Sequence, residues 1–193
     1  MPSRRRHLHP DVKRLTLAGA LVLSGCAGSD LPRLERALAA NDSATAALGQ
    51  WCAAEAIAQP PTIRAMADRT ASVSPPPAIR SRLGVAADEP VAYRHVRLTC
   101  GDAVLSVAQN WYVPSRLAPD MNRALETTDM PFGKVVAPLN FRRERLNSVR
   151  GRSPECPAGT VLSHRAVLRI ADGRAISFVV ECYTRSNLRA RLL

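Results

Sequence analysis

Two pairs of alternating segments, each folded about a short polar turn, constrain this chain most. Val91-Ala92-Tyr93-Arg94-His95-Val96-Arg97-Leu98 alternates like a half-buried strand. Gly101-Asp102 marks a turn, and Ala103 to Tyr112 reads as the returning strand, closed by Pro114. Val161 to Ile170, the turn Ala171-Asp172-Gly173-Arg174, and Ala175 to Thr184 repeat the pattern. Two hairpins need a shared sheet, and a sheet with apolar faces needs a covering layer.

That layer is legible upstream. Leu31 to about Ala58 carries apolar residues at helical spacing, Leu34 and Leu38 among them, with a break at Asn41-Asp42-Ser43. Asp42 or Ser43 can cap a second helix running through Ala46, Leu48, Trp51 and Cys52. Pro60-Pro61 ends it, and residues 59–78 read as a loop with a short helix at Ile63 to Arg69. Pro119 to Leu125 is expected to be a short helix and Asp129-Met130-Pro131-Phe132-Gly133 a tight loop. Val135 to Leu139 and Leu146 to Val149 are weaker strand candidates. Helices first and antiparallel strands after them predict an α+β fold, an antiparallel sheet with N-terminal helices packed on it.

The first 25 residues have a different character. Arg4, Arg5, Arg6, Lys13 and Arg14 precede the apolar run Leu15 to Leu23, and Leu23-Ser24-Gly25-Cys26 follows the pattern of a lipobox. A run this short does not cross a hydrocarbon core of ~30 Å as a helix; it reads as a secretory signal. In bacterial lipoprotein precursors the thiol at such a site receives a diacylglycerol before cleavage. The expected organisation is a signal peptide over 1–25, a lipid-anchored linker over 26–30 and one domain over 31–193. Ala27, not Asp, follows the cysteine, so the expected location is the periplasmic side of the outer membrane, or the cytoplasm if the signal is not used.

The whole chain of 193 residues has a net charge of +11. The first 25 residues hold five basic and one acidic side chain, which leaves 22 basic and 15 acidic beyond them. That basic excess is scattered and not interleaved with aromatics, so nucleic acid is not an expected partner. With Cys26 assigned to lipid, Cys52, Cys100, Cys156 and Cys182 remain. Four cysteines allow three pairings, and spacing does not choose among them. There is no C-x-x-C pair and the four His are dispersed, so neither a zinc site nor another metal is expected.

Four stretches, taken in order, resemble the chorismate pyruvate-lyase family and the UTRA ligand-binding domains that share its fold. They are Asp42-Ser43-Ala44-Thr45; Tyr93-Arg94-His95-Val96-Arg97-Leu98; Asn110-Trp111-Tyr112-Val113-Pro114 with the later Pro131-Phe132-Gly133; and Val179-Val180-Glu181-Cys182-Tyr183. The resemblance implies a small buried pocket and conversion of chorismate to 4-hydroxybenzoate and pyruvate, on the route to ubiquinone, with no cofactor. It implies Arg94 as the ligand-binding arginine, Glu181 as the acidic residue of the last strand, and Ala44, Phe132 and Gly133 as further pocket positions. Ala44 stands where the lyases often carry a larger apolar residue, which alters the ligand that fits.

The residues give these positions a chemistry of their own. Arg94 shares a strand face with Val96 and Leu98, and an inward arginine needs a partner. A ligand carboxylate is one, bound through two parallel hydrogen bonds; an internal ion pair, with Glu181 for instance, is another. A carboxyl in a dry pocket has its pKa raised, so Glu181 is expected either to donate a proton to the departing enolpyruvyl group, to hydrogen-bond the ring oxygen, or to be a paired structural carboxylate. Gly133 can present backbone N–H groups to a carboxylate, with Phe132 over the ring. Export sits poorly with a cytoplasmic substrate. The alternatives to a lyase are therefore a non-enzymatic envelope lipoprotein that binds a small aromatic or cyclic carboxylate, and a structural envelope protein with a vestigial pocket. The expected assembly is a monomer.

Overall fold

The computed structural model describes residues 30–188. Cys26, the signal-like segment and most of the linker lie outside the described residues. The fold is α+β: a six-stranded antiparallel sheet with helices against it. The strands are β1 (Ile63–Asp68), β2 (Ala92–Cys100), β3 (Ala103–Tyr112), β4 (Arg142–Arg150), β5 (Thr160–Arg169) and β6 (Ala175–Thr184), in the order β1-β2-β3-β6-β5-β4. The two expected hairpins are β2–β3 and β5–β6, joined along β3 and β6. β6 is therefore central, and it is buried from Ala175 through Tyr183, as a strand covered on both faces must be.

Helices α1 (Asp30–Ala39) and α2 (Ala44–Ala54) cover one face. Leu34, Leu38, Leu48 and Trp51 pack there with Val96, Leu98, Ala108 and Tyr183. Each buried leucine or valine among them contributes about 1.5–3 kcal/mol. Ser43 is the residue that caps α2, its hydroxyl accepting from the Ala46 N–H at 3.2 Å. The opposite face packs α3 (Pro77–Leu83) through Ile79 and Leu83 onto Trp111, Phe178 and Val180. Helices α4 (Pro119–Thr127) and α5 (Phe132–Val135) close one end, with Leu125, Val135, Val136 and Phe141 against Leu168 and Ile176. Disulfides join Cys52 to Cys100 and Cys156 to Cys182, one of the three pairings the sequence leaves open.

Four local expectations change. Residues 63–68 form strand β1, not a helix: Ile63 and Ala65 are buried while Arg64 and Met66 are exposed, and pairing with β2 overrides the weak helical preference of Ala and Arg. Helix α3, not anticipated, starts at Pro77, where proline suits the first turn, and ends at Gly84 with φ 60°. Residues 135–139 are not a strand, and Phe132 and Gly133, expected in the tight loop, instead open α5, which runs into a 3₁₀ turn at Ala137–Leu139 that contains Pro138; Asn140 ends it with φ 49°. Strand β4 starts at Arg142 rather than Leu146: pairing of Arg142 to Arg145 with β5 forms its arginine-rich first half, which has no apolar alternation to reveal it.

Candidate functional site

The sheet register sets the site. Across the face beneath α2, Val96 pairs with Ala108, Ala108 with Glu181, and Glu181 with His164. One step along, Arg94 pairs with Asn110 and Asn110 with Val179. Over this patch lie the start of α2 and the start of α5, and between them is an inner cavity of about 50 Å³. Ala44, Arg94, Phe132, Gly133 and Glu181, expected from far-apart stretches, all line it. With neighbouring strands about 4.8 Å apart, Arg94 on β2 and Glu181 on β6 have Cα atoms roughly 12 Å from each other. They line the cavity from two strands on either side of β3.

Arg94 is 7% exposed. Its Nη1 donates to the Met130 carbonyl at 3.5 Å, at the long limit of a hydrogen bond. Its Nε and Nη2 are buried with no partner, and among the described residues no carboxylate pairs with it. Desolvation pulls its pKa below the ordinary arginine value. It remains a cation whose donors are not satisfied by the protein.

Glu181 is the reverse case. Its two oxygens accept from Arg143, Nη1 to Oε1 at 3.1 Å and Nη2 to Oε2, and the Tyr183 hydroxyl donates to Oε2 at 2.9 Å. Burial alone would raise this carboxyl, but the adjacent guanidinium outweighs it and holds the pKa below the usual carboxylate range. The same pairing raises Arg143 despite its burial. Burial and the neighbouring carboxylate push the Tyr183 phenol well up. Of the three expected roles of Glu181, the paired carboxylate is the one this arrangement shows: its oxygens accept from Arg143 and Tyr183. Its partner is Arg143 and not Arg94. His164, cross-strand to Glu181, is 2% exposed with Nδ1 unpartnered, and desolvation lowers its pKa to about 4.

Gly133 also serves the packing of α5 on α2. A Cβ there would lie 2.7 Å from Ser43 Oγ and 3.2 Å from Thr45 Oγ1. Glycine lets the start of α5 meet the hydroxyls at the start of α2. Ser43, Thr45, Gly133, Asp42 and Phe141 line both the inner cavity and an outer vestibule of about 570 Å³. Phe132 lines the cavity and packs on Tyr112 with ring centroids 5.6 Å apart. Ala44 lines it without filling it. Asp42 belongs to the rim: it accepts from the Arg143 N–H at 2.9 Å and pairs with Arg142 at 3.6 Å.

Sequence reasoning missed Arg143, Asn110 and Thr45 as cavity residues. Arg143 had no signal, because it sits in a run of arginines; Asn110 and Thr45 lay inside noted motifs but were given no role. Among the described residues no group of three or more His, Cys, Asp or Glu is placed to hold a metal. No described helix is long and apolar enough to cross a membrane.

No family model matches the sequence. PhnF from Mycobacterium smegmatis superposes with a TM-score of 0.51 at 13% identity, covering 66% of this chain and 60% of that one. The effector domain of PhnF gives a TM-score of 0.49 at 15% identity, over 64% of this chain and 81% of that domain. The chain shares the UTRA-like α+β fold with PhnF and spans about three fifths of PhnF's length. The uncharacterized protein y4mC of Sinorhizobium fredii is 41% identical over 182 residues, 82% of this chain and 75% of that protein. This chain belongs to the same protein family as y4mC.

Proposed function

We propose that this domain binds a small aromatic or cyclic carboxylate in the inner cavity, with Arg94 as the carboxylate's partner. One observation carries the reading. Arg94 is a buried cation with two nitrogens that the protein leaves unpartnered. A buried charge without a partner is costly, and a carboxylate on the cavity side removes that cost. The UTRA-like fold of ligand-binding domains supports a small-molecule partner. An engineered cavity of roughly 150 Å³ takes benzene, so a ring enters here only as Phe132 and Gly133 withdraw toward the vestibule.

The second reading is turnover of chorismate to 4-hydroxybenzoate and pyruvate. What favours it is that Arg94 and Glu181 line one cavity. What weighs against it is the ion-paired, acceptor-only state of Glu181. A single sample separates the two. The purified protein is given chorismate, with 4-hydroxybenzoate followed by chromatography, and is titrated with 4-hydroxybenzoate by calorimetry. Binding without product, lost in Arg94→Ala, is the expected result. Product formation lost in both Arg94→Ala and Glu181→Ala would establish the lyase. Neither binding nor product would end the carboxylate reading.

The proposal includes export and anchoring at Cys26 on the periplasmic face of the outer membrane. The lipobox supports it, and so do two disulfides, which persist in oxidising compartments and are rare in the cytosol. Incorporation of a labelled fatty acid, abolished in Cys26→Ala, tests it.

A further inference from the structure

We infer that Glu181, held by Arg143, places a fixed negative charge across the cavity from Arg94, so that the cavity selects monocarboxylates and rejects dicarboxylates of the same size. The inference rests on the carboxylate-binding reading and names the ligand class within it.

The ionisable groups around the cavity give the balance. Arg94 contributes one positive charge with no carboxylate in ion-pair contact among the described residues; Asp129, which acts on it, is held by Arg64 and Arg69. Arg143 and Glu181 cancel within hydrogen-bond distance of each other. Asp42 at the rim is offset by Arg142, at 3.6 Å, outside the cavity. The charges that act on His164 beside the pair include Arg145 on β4 and Glu35 on α1. Arg145 directs its Nη2 to the Leu38 carbonyl at 3.4 Å, and Glu35 is bound by Arg150. His164 and Tyr183 are buried and neutral near pH 7. One ligand carboxylate therefore neutralises Arg94. A second, at the far end of the ring, would meet Glu181, a like charge that cannot give way because Arg143 and the Tyr183 hydroxyl already hold both of its oxygens. An uncharged hydroxyl at that end meets an acceptor instead. Two like charges in a desolvated site repel far more strongly than in water.

Arg143 is thus a specificity-positioning residue. It does not need to touch the ligand's carboxylate; it keeps Glu181 ionised and in place. Removing the Glu181 charge while keeping Arg143 frees a second guanidinium and inverts the preference.

The test uses benzoate, 4-hydroxybenzoate and terephthalate, titrated into the purified protein by calorimetry at pH 7. The expected wild-type result is binding of both monocarboxylates, with terephthalate at least about 100-fold weaker. Glu181→Gln is expected to bring terephthalate to parity with benzoate or beyond it. Arg143→Met/Glu181→Met, which removes the fixed anion without freeing a second cation, is expected to narrow the gap between terephthalate and benzoate without closing it; a gap as wide as in the wild type would overturn the inference. Equal wild-type affinity for terephthalate and 4-hydroxybenzoate would overturn the inference and leave the carboxylate reading standing. So would an unchanged ratio in folded Glu181→Gln. If Glu181→Gln does not fold, the wild-type ratio and the double variant decide. Failure of all three acids to bind the wild type would overturn the carboxylate reading, and this inference with it.

Discussion

Arg143 on β4 holds Glu181 on β6 with both of its terminal nitrogens, across the intervening strand β5. Both side chains are almost fully buried. A pair of this kind is strongly destabilising when halved and close to neutral when replaced whole. Arg143→Leu is expected to cost about 3–5 kcal/mol, whereas Arg143→Leu/Glu181→Leu recovers most of that loss. Denaturant midpoints of the two variants check it; equal destabilisation in both would refute it.

The same pair predicts a reversal in pH dependence. The folded pKa of Glu181 lies below its ordinary value. The unfolded chain therefore binds the proton first, and stability is lost as pH falls below about 4.5, through the folded pKa. In Arg143→Leu desolvation, the largest influence, is opposed only by the Tyr183 hydroxyl and His164, and the folded pKa rises. Stability contributed by this group is then present at acid pH and lost as pH rises from about 4.5 through the raised folded pKa. Unfolding free energy measured from pH 4 to pH 7 in the two proteins should change in opposite directions for this group.

His164 gives a second, separable window. Its folded pKa is about 4, against 6.5 ordinarily, chiefly because burial disfavours the cation. Protons bind the unfolded chain first between those values, so stability is full above pH 6.5 and falls as pH drops toward 4. The full effect is roughly 3 kcal/mol. His164→Phe removes the slope in that window while leaving the Glu181 loss at lower pH. A wild-type slope that persists in the variant would assign it to other groups.

The fold was legible wherever the residue pattern has a period. Both hairpins and both N-terminal helices follow from alternation, helical spacing and turn residues, because those local signals agree with the final packing. Strand β1 and the start of β4 were not legible. Ile63–Asp68 carries only two buried side chains on an edge strand, and Arg142 to Arg145 carries charge where a strand usually carries apolar residues. At the cavity, Arg94 and Glu181 could be placed inward by alternation within their strands. Which cation faces Glu181 depends on contact across β5, and no periodicity within one strand encodes that.

Gly133 offers a test of how α5 meets α2. Gly133→Ala would force its Cβ to 2.7 Å from Ser43 Oγ, the atom that caps α2 through Ala46. Moving that hydroxyl aside removes the cap, at a cost of about 1 kcal/mol, in addition to any residual overpacking. Gly133→Ala/Ser43→Gly deletes the clashing atom, and glycine at an N-cap costs only a few tenths of a kcal/mol. The double variant is expected to be more stable than Gly133→Ala alone by thermal melting. If it is less stable, the contact with Thr45 Oγ1 at 3.2 Å, and not Ser43, is the controlling one.

Arg94 should show function and stability in opposition. Its Nε and Nη2 are buried and unpartnered, and its one hydrogen bond is at the limit of length. Leaving buried donors unsatisfied costs about 1–3 kcal/mol. Arg94→Met keeps the long aliphatic shape among Val96, Phe132 and Leu168 at the cavity wall and removes the charge. The variant is expected to unfold at higher denaturant than the wild type in the absence of ligand, and to lose benzoate binding at least about 100-fold. A site that retains a destabilising cation, and loses its ligand when the cation goes, is one in which stability is given up for binding. If Arg94→Met is instead destabilised, the guanidinium has a structural partner and the case for a ligand carboxylate at this position fails.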